Sequence, residues 1–521
     1  MRAMRGTVLG VCCAAVVAVA VRPDAMAQPV IRAVFSNIAE THTLDPAVAF
    51  SSDGLEFVRN VYEGLLEIKP RTVEVGPLLA ARWSVSADGL TYRFTLRQGV
   101  RFHDGAPLTA QAAKIGLERI RQVNQGPASL MSNIRSIQAT GPYELTIRLA
   151  EPDVYFLGRL AKLPLVSPKA LADHRTSADP LAKDWFATHA AGTGPYRLVR
   201  WIKNNRIELE RSPGYWRPWP AGAPTTVILR VDPNVSTALQ LLQRGEVDML
   251  GAVGPDESLA AEKMPGVKLV KQPMLEVKHV ILNMSRPPLN DKRIRQAIKY
   301  AFDYRAMVDF FSGLARLPEG RIPSAVPGGK AGLTPQQDLA RARQLLAEAG
   351  HTSGGFELEY LGLKGLSYFE FAGTVLERSL AALGIRVTQT LVPWPQMPPL
   401  MAKERQAPHM SFLNMSMFTP DPSDMLRTAY HSANLAPRGG YNWSYYQNPE
   451  VDRLIDSVKR LSDERERVDT LVRIQRILDD DVPTIVVVEP ILAQPVRAQW
   501  DVWYETLDYN YVVRFFYARR R

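Results

Sequence analysis

One apolar run dominates the start of this chain, and nothing like it recurs. VLGVCCAAVVAVAV occupies 8–21 behind Arg2 and Arg5, and Ala25-Met26-Ala27 supplies an A-x-A cleavage site. A positive start, a short apolar stretch and small residues at the cut describe a secretory leader over residues 1–27, too short to span a bilayer. A lipoprotein signal cut before Cys12 is the weaker reading, because few apolar residues precede that cysteine. No later segment reaches the ~18 apolar residues of a membrane helix. The remainder is therefore expected to be exported and to fold in water. With 521 residues in all, it is too long for one core and should divide into two or three lobes.

Both cysteines, Cys12 and Cys13, lie inside the leader. What remains offers no disulfide, no thiolate nucleophile and no cysteine metal ligand. The formal charge of +10 falls to +8 once the three Arg and one Asp of the leader are removed. The basic residues are dispersed apart from Arg519, Arg520 and Arg521. Nucleic-acid binding would ask for a clustered patch with interleaved aromatics, so no nucleic-acid partner is expected.

Local patterns place the elements. Tyr92, Phe94 and Leu96 alternate with Arg93, Thr95 and Arg97, the period of a half-buried strand. Thr109 offers a helix N-cap, with Ala113, Gly116, Leu117 and Ile120 on one face beyond it. Residues 143–149 alternate again. Asp291 caps a helix whose inner face runs Ile294, Ile298, Ala301 and Val308; Asp338 starts another that Gly350 stops. A helix over 371–383 leads into a strand at 385–388, and a helix over 465–478 leads into a strand at 485–489. Arg197 to Glu210 alternates like a strand. These units make the second half α/β, while the first half is richer in hairpins.

Chemistry-bearing motifs are scarce. G-x-S-x-G, H-E-x-x-H, G-x-x-x-x-G-K-[ST] and C-x-x-C do not occur. Gly192-Thr193-Gly194-Pro195 begins like a dinucleotide loop, but Arg197 stands where the third glycine should open a helix, and Pro195 removes an N–H. The eight histidines show no ligand spacing. His103-Asp104-Gly105 could pass for an acid/base pair, yet adjacent side chains on an extended segment point apart, so a turn is expected.

Several stretches taken together resemble a known family. They are LDP at 44–46, VYEGLLEI at 61–68, LAARWSVSADGLTYRFTLRQGVRFHDGAPLTA at 79–110, GTGPYRLVRW at 192–201 and ERSPGYW at 210–216. LQRGEVDML at 242–250, NDKRIRQAIKYAFDYRAMV at 290–308, ARQLLAEAG at 342–350 and NPEVDRLID at 448–456 complete the set. In this order they resemble the extracytoplasmic solute-binding proteins of ABC importers, in the peptide- and nickel-binding branch.

The resemblance implies an α/β, two-lobed periplasmic binding protein fold with a hinge of two crossing strands and an additional domain on the first lobe. Domain I would comprise 28–55, 190–273 and 489–521, domain II 56–189 and domain III 274–488. It further implies a monomeric periplasmic carrier that delivers a peptide-like solute to a permease and ATPase complex of the inner membrane, with no cofactor and no catalysis. Phe50, Ser51 and Ser52, shortly after LDP, would touch the ligand from one side. Asn414, Met415, Ser416, Met417 and Phe418, ahead of Asp421-Pro422, would touch it from the other. Trp394 and Trp443 are expected pocket aromatics, with Tyr441, Asn442 and Ser444 along the same wall. Arg438 and Lys403 are candidates to meet a ligand carboxylate, and Asp421 could meet an amine if its loop turns inward.

One position departs from the family. Peptide binders of this kind place an Asp four residues before that proline to pair with the peptide ammonium; here the residue is Phe418. An ammonium buried against a phenyl ring loses several kcal/mol of charge pairing, of which a cation–π contact recovers about 0.5–2 kcal/mol. A blocked or modified peptide, a glutathione-like compound, an opine or a metal chelate then suits the site better than an ordinary free-amine peptide, unless a carboxylate comes from elsewhere. The rivals are a nickel-chelate or opine/metallophore carrier of the same fold, with His431 the nearby histidine, an exported hydrolase, and a receptor that binds proteins on its surface.

Overall fold

The computed structural model describes residues 29–35, 41–50, 54–203, 205–232, 234–505, 507 and 512–521. A mixed sheet of 12 strands passes through both lobes. In the first lobe Val30–Phe35 lies parallel between Thr226–Val231 and Met249–Gly251, while Arg206–Arg211 and Tyr196–Ile202 extend that edge as an antiparallel hairpin. In the second lobe Glu276–Leu282 runs antiparallel to Met410–Ser416, with Glu357–Leu363 and Arg386–Val392 parallel beyond it. A separate four-stranded sheet, Ala80–Val85, Thr91–Leu96, Glu144–Leu149 and Ile134–Ala139 in spatial order, carries the helix Ala110–Val123 and forms the additional domain.

The lobes are joined by one long strand and its neighbour. Residues 484–488 of Thr484–Arg497 pair with Glu276–Leu282, and residues 491–497 pair with Val267–Pro273. The chain thus crosses once between Pro273 and Glu276 and once between Val488 and Ile491, side by side and in opposite directions. Two adjacent extended segments without flanking helices are what a hinge requires, since a few φ/ψ changes there rotate one lobe against the other.

Caps dictated by local chemistry fall where expected. The Thr109 hydroxyl accepts from Ala112 N–H, Asp291 from Arg293 N–H and Asp338 from Arg341 N–H. Three expectations need correction. The helix after Asp291 stops at Ala301, because Asp303 caps a second helix, Tyr304–Phe310, that carries Val308. Arg197 to Glu210 belongs to two antiparallel strands, Tyr196–Ile202 and Arg206–Arg211, with Asn205 N–H bonding Ile202 O between them. The strand expected at 485–489 continues through Pro490 and Pro495 to Arg497, with Pro490 at the point where the strand changes partners.

His103-Asp104-Gly105 is a turn. Gly105 has φ +85° and bonds back to Phe102 O, and Asp104 accepts from Ala106 N–H and the Ser167 hydroxyl. The His103 ring meets Gly194 O at 2.9 Å, and burial lowers its pKa. The glycines of Gly192-Thr193-Gly194 serve close packing: a Cβ at Gly192 would lie 2.1 Å from Val61 O, and one at Gly194 2.6 Å from the same atom.

Candidate functional site

The LDP segment is anchored by charge. Asp45 accepts two hydrogen bonds, of 2.8 and 2.7 Å, from the Arg119 guanidinium, and the Ala47 N–H bonds the same carboxylate. Both side chains are 1% exposed, so a bidentate pair set in a dry interior holds the chain rigidly just before the expected first wall. Phe50, five residues on, is half-buried. Ser51 and Ser52 lie outside the described residues.

The second wall is the strand Met410–Ser416 together with Met417 and Phe418. Its pleat divides the expected residues into two sets. Met415 and Met417 point inward and are buried in the core, whereas Asn414 and Ser416 are half-buried and Phe418 is exposed. Asn414, Ser416 and Phe418 thus form the outward face. The Asn414 amide donates to Tyr368 OH at 2.8 Å and its carbonyl accepts from Lys278 Nζ at 3.1 Å, while the Ser416 hydroxyl donates to Glu276 at 2.7 Å.

Trp394, Tyr441 and Trp443 come together in one aromatic cluster. Trp394 stacks on Tyr441 at 11° and on Trp443 at 28°, with ring centres 6.4 and 6.1 Å apart. Trp443 is buried behind the other two, which are exposed. Asn442 has a bracing role instead: wholly buried, it donates to Tyr446 O and His431 O and accepts from the Ser444 hydroxyl. The Arg438 guanidinium bonds Ser432 O within its own loop.

Asp421 faces another protein group. It caps the helix Pro422–Tyr430 through Ser423 N–H and pairs with Arg159 of the additional domain. Arg159 also pairs with Asp153, and with Asp424 at 2.9 Å. Burial and the neighbouring Asp424 push the Asp421 carboxyl up to about 8, against the pull of Arg159. Close by, Glu151 pairs with Lys459 and Arg460 at 2.5 Å each, the Val154 N–H bonds Lys459 O, and a Cβ at Gly158 would strike Pro420. These contacts connect the additional domain to the second lobe.

His431 is occupied at a helix end. Its Nδ1 accepts the Ala433 N–H, its Nε2 lies 3.4 Å from Asp456, and burial with Arg427 lowers its pKa. Among the described residues no three His, Cys, Asp or Glu side chains are grouped to hold a metal ion, and no helix is long and apolar enough to cross a membrane. A cavity of about 280 Å³ lies away from both walls, on the first-lobe sheet, lined by Arg32, Arg206, Arg230, Glu246 and apolar neighbours. Its arginines are matched by Asp248, Glu208 and Asp232.

Sequence reasoning missed Tyr368, Lys278 and Glu276. The available signal was Glu276-Val277-Lys278-His279-Val280-Ile281-Leu282, where two charges at i and i+2 enter an otherwise strand-like apolar run.

Comparison with known proteins fits this geometry. The chain is 27% identical over 496 residues to the glutathione-binding protein GsiB of Salmonella typhi, covering 93% of this chain and 94% of that one. It is 28% identical over 458 residues to a probable D,D-dipeptide-binding periplasmic protein, DdpA, of Escherichia coli, covering 86% of each. The Helicobacter pylori periplasmic binding protein DppA in complex with the peptide STSA superposes with a TM-score of 0.78 at 25% identity, over 95% of this chain and 98% of that one. HbpA2 of Haemophilus parasuis superposes with a TM-score of 0.82 at 22% identity, over 94% and 100%. These relatives bind solutes and are not named as enzymes. The profile of the bacterial extracellular solute-binding proteins, family 5, matches residues 74–437. The chain belongs to that family, the solute-binding components of ABC importers.

Proposed function

We propose that this protein captures a peptide-like solute between its two lobes in the periplasm and hands it to an inner-membrane permease, without chemically altering it. The observation that supports the reading most is the two-strand hinge between the lobes, with a segment clamped by Asp45–Arg119 in one lobe and the half-buried Asn414 and Ser416 and exposed Phe418 in the other. Enclosure removes such a ligand from water and yields a closed shape that a permease can read. The domain limits that go with this reading are 28–55, 190–273 and 489–521 for domain I, 56–189 for domain II and 274–488 for domain III. Ligand contacts would come from Phe50, Ser51, Ser52, Trp394, Asn414, Ser416 and Phe418, with Trp443 as backing.

Catalysis has no support in the arrangement around His103 and Asp104, which is taken up by turn and packing contacts. The nickel-chelate alternative is weakened because His431 Nδ1 already accepts the Ala433 N–H. Native mass spectrometry of gently purified protein tests the proposal: a retained solute of peptide size, released intact, is expected. A bound α-linked peptide with a free amino terminus would overturn the argument from Phe418, and cleavage of the bound solute would overturn the non-catalytic reading.

A further inference from the structure

The neighbouring strands Glu276–Leu282 and Met410–Ser416 pair Glu276 with Ser416, Lys278 with Asn414 and Val280 with Phe412. At the far end this shared face is apolar, with Phe412 packed against Phe369 at 4.9 Å. Toward the hinge it becomes charged. Lys278 Nζ donates to Glu276 at 2.6 Å and to Asn414 at 3.1 Å and sits 4.1 Å above the Tyr368 ring. The Lys278 and Glu276 side chains are 5% and 8% exposed. Apolar side chains of similar volume would hold these strands together without the cost of dehydrating two ions. The partners of the pair, Asn414, Ser416 and Tyr368, are half-buried, so the charged cluster reaches the outward face next to Phe418.

We propose that Glu276 and Lys278 read an α-amino-acid head group, an ammonium and a carboxylate carried on one carbon, at the end of the bound solute. The proposal rests on the two-lobe capture reading above. Lys278 uses two of its three N–H donors internally, which leaves one for a carboxylate, and each Glu276 oxygen takes one donor and keeps a lone pair for an ammonium. The charges of the pair cancel. A lone amine or lone carboxylate would face one like charge at close range, whereas a head group carrying both matches both. The terminal ammonium and carboxylate of an ordinary α-linked peptide lie on different residues and cannot both reach a pair 2.6 Å apart. A γ-glutamyl end meets the requirement, and Glu276 then supplies the carboxylate that Phe418 cannot.

Titration calorimetry on the full mature protein, stripped of retained solute, tests this with γ-glutamylalanine, its N-acetyl form and alanylalanine as probes. γ-Glutamylalanine should bind, acetylation should weaken it about 30-fold, and Glu276→Gln or Lys278→Met should weaken it to a similar degree. The comparison of the two γ-glutamyl probes needs only the wild-type protein, so it stands even if a variant does not fold. Equal binding of the acetylated probe, or wild-type affinity in both folded variants, would make the pair a brace and end the proposal. If alanylalanine or a co-purifying solute binds while γ-glutamylalanine does not, the head-group inference falls and the capture reading stands. If no solute of any kind binds, the capture reading itself falls.

Discussion

Two seams meet the additional domain of this protein, and they are built differently. Toward the first lobe the seam is dry. Asp45 grips Arg119, Lys162 meets Glu505 at 2.7 Å with both side chains at most 3% exposed, and Glu63 collects Tyr215, Trp216 and Thr193. Asn60 bonds the backbone at both Val513 and Phe515. Toward the second lobe the seam is mixed: Arg159, 12% exposed, meets Asp153 at 2% and Asp421 at 0%, while around them Asp424 is 39% exposed, Glu151 36% and Arg460 53%. A buried ion pair is costly to break because the survivor stays dehydrated, whereas an exposed pair parts cheaply. The difference teaches which surfaces separate when the hinge opens. On this difference the additional domain is expected to travel with the first lobe, and its contact with the second lobe to part.

The comparison breaks first if the dry seam proves weak. Arg119→Ala leaves Asp45 buried without its partner and should cost about 3–5 kcal/mol in chemical denaturation, with or without solute. The double change Lys162→Met with Glu505→Leu should cost less than Lys162→Met alone, because Glu505 is then not left buried without the Lys162 ammonium. At the second-lobe seam the partners Asp153 and Asp421 are also buried, but opening can rehydrate Asp421, so Arg159→Ala should cost less in global unfolding than Arg119→Ala. Its effect should fall instead on the open–closed balance, seen as a more expanded solute-free particle. Glu151→Ala is the smallest change, within ~0.5 kcal/mol in stability and vanishing in high salt.

The second-lobe seam also carries a pH signature. Burial and the neighbouring Asp424 push the enclosed Asp421 carboxyl up to about 8, above the ordinary carboxylate range expected of it once opened to water. Closure therefore takes up a proton between those two values. Linkage sets the sign: this contribution favours the closed form as pH falls below about 8 and is lost as pH rises through it. Asp421→Asn keeps the helix cap and should flatten the dependence, which scattering across pH would detect.

How much of this could be read from sequence depends on range. Caps at Thr109, Asp291 and Asp338 are decided by one side chain and a backbone N–H two or three residues away, so they were legible. The sequence expectation of a strand ends at Glu489; Pro490 and Pro495 are unusual inside a strand, and pairing with Val267–Pro273 keeps the chain extended past them. The expected contact segment rests on resemblance, and which of its residues face outward is decided by the register against Glu276–Leu282. Asp421 shows the limit most clearly. Its partner Arg159 is 262 positions away, and local pattern carries no trace of that pairing.

The central claim is that the lobes close around a solute. Small-angle scattering of the stripped protein and of the same protein reloaded with its co-purified solute tests it most directly. The account predicts a smaller radius of gyration in the loaded state, and a wider gap between the two states in Arg159→Ala. Identical profiles with solute bound and absent would contradict it.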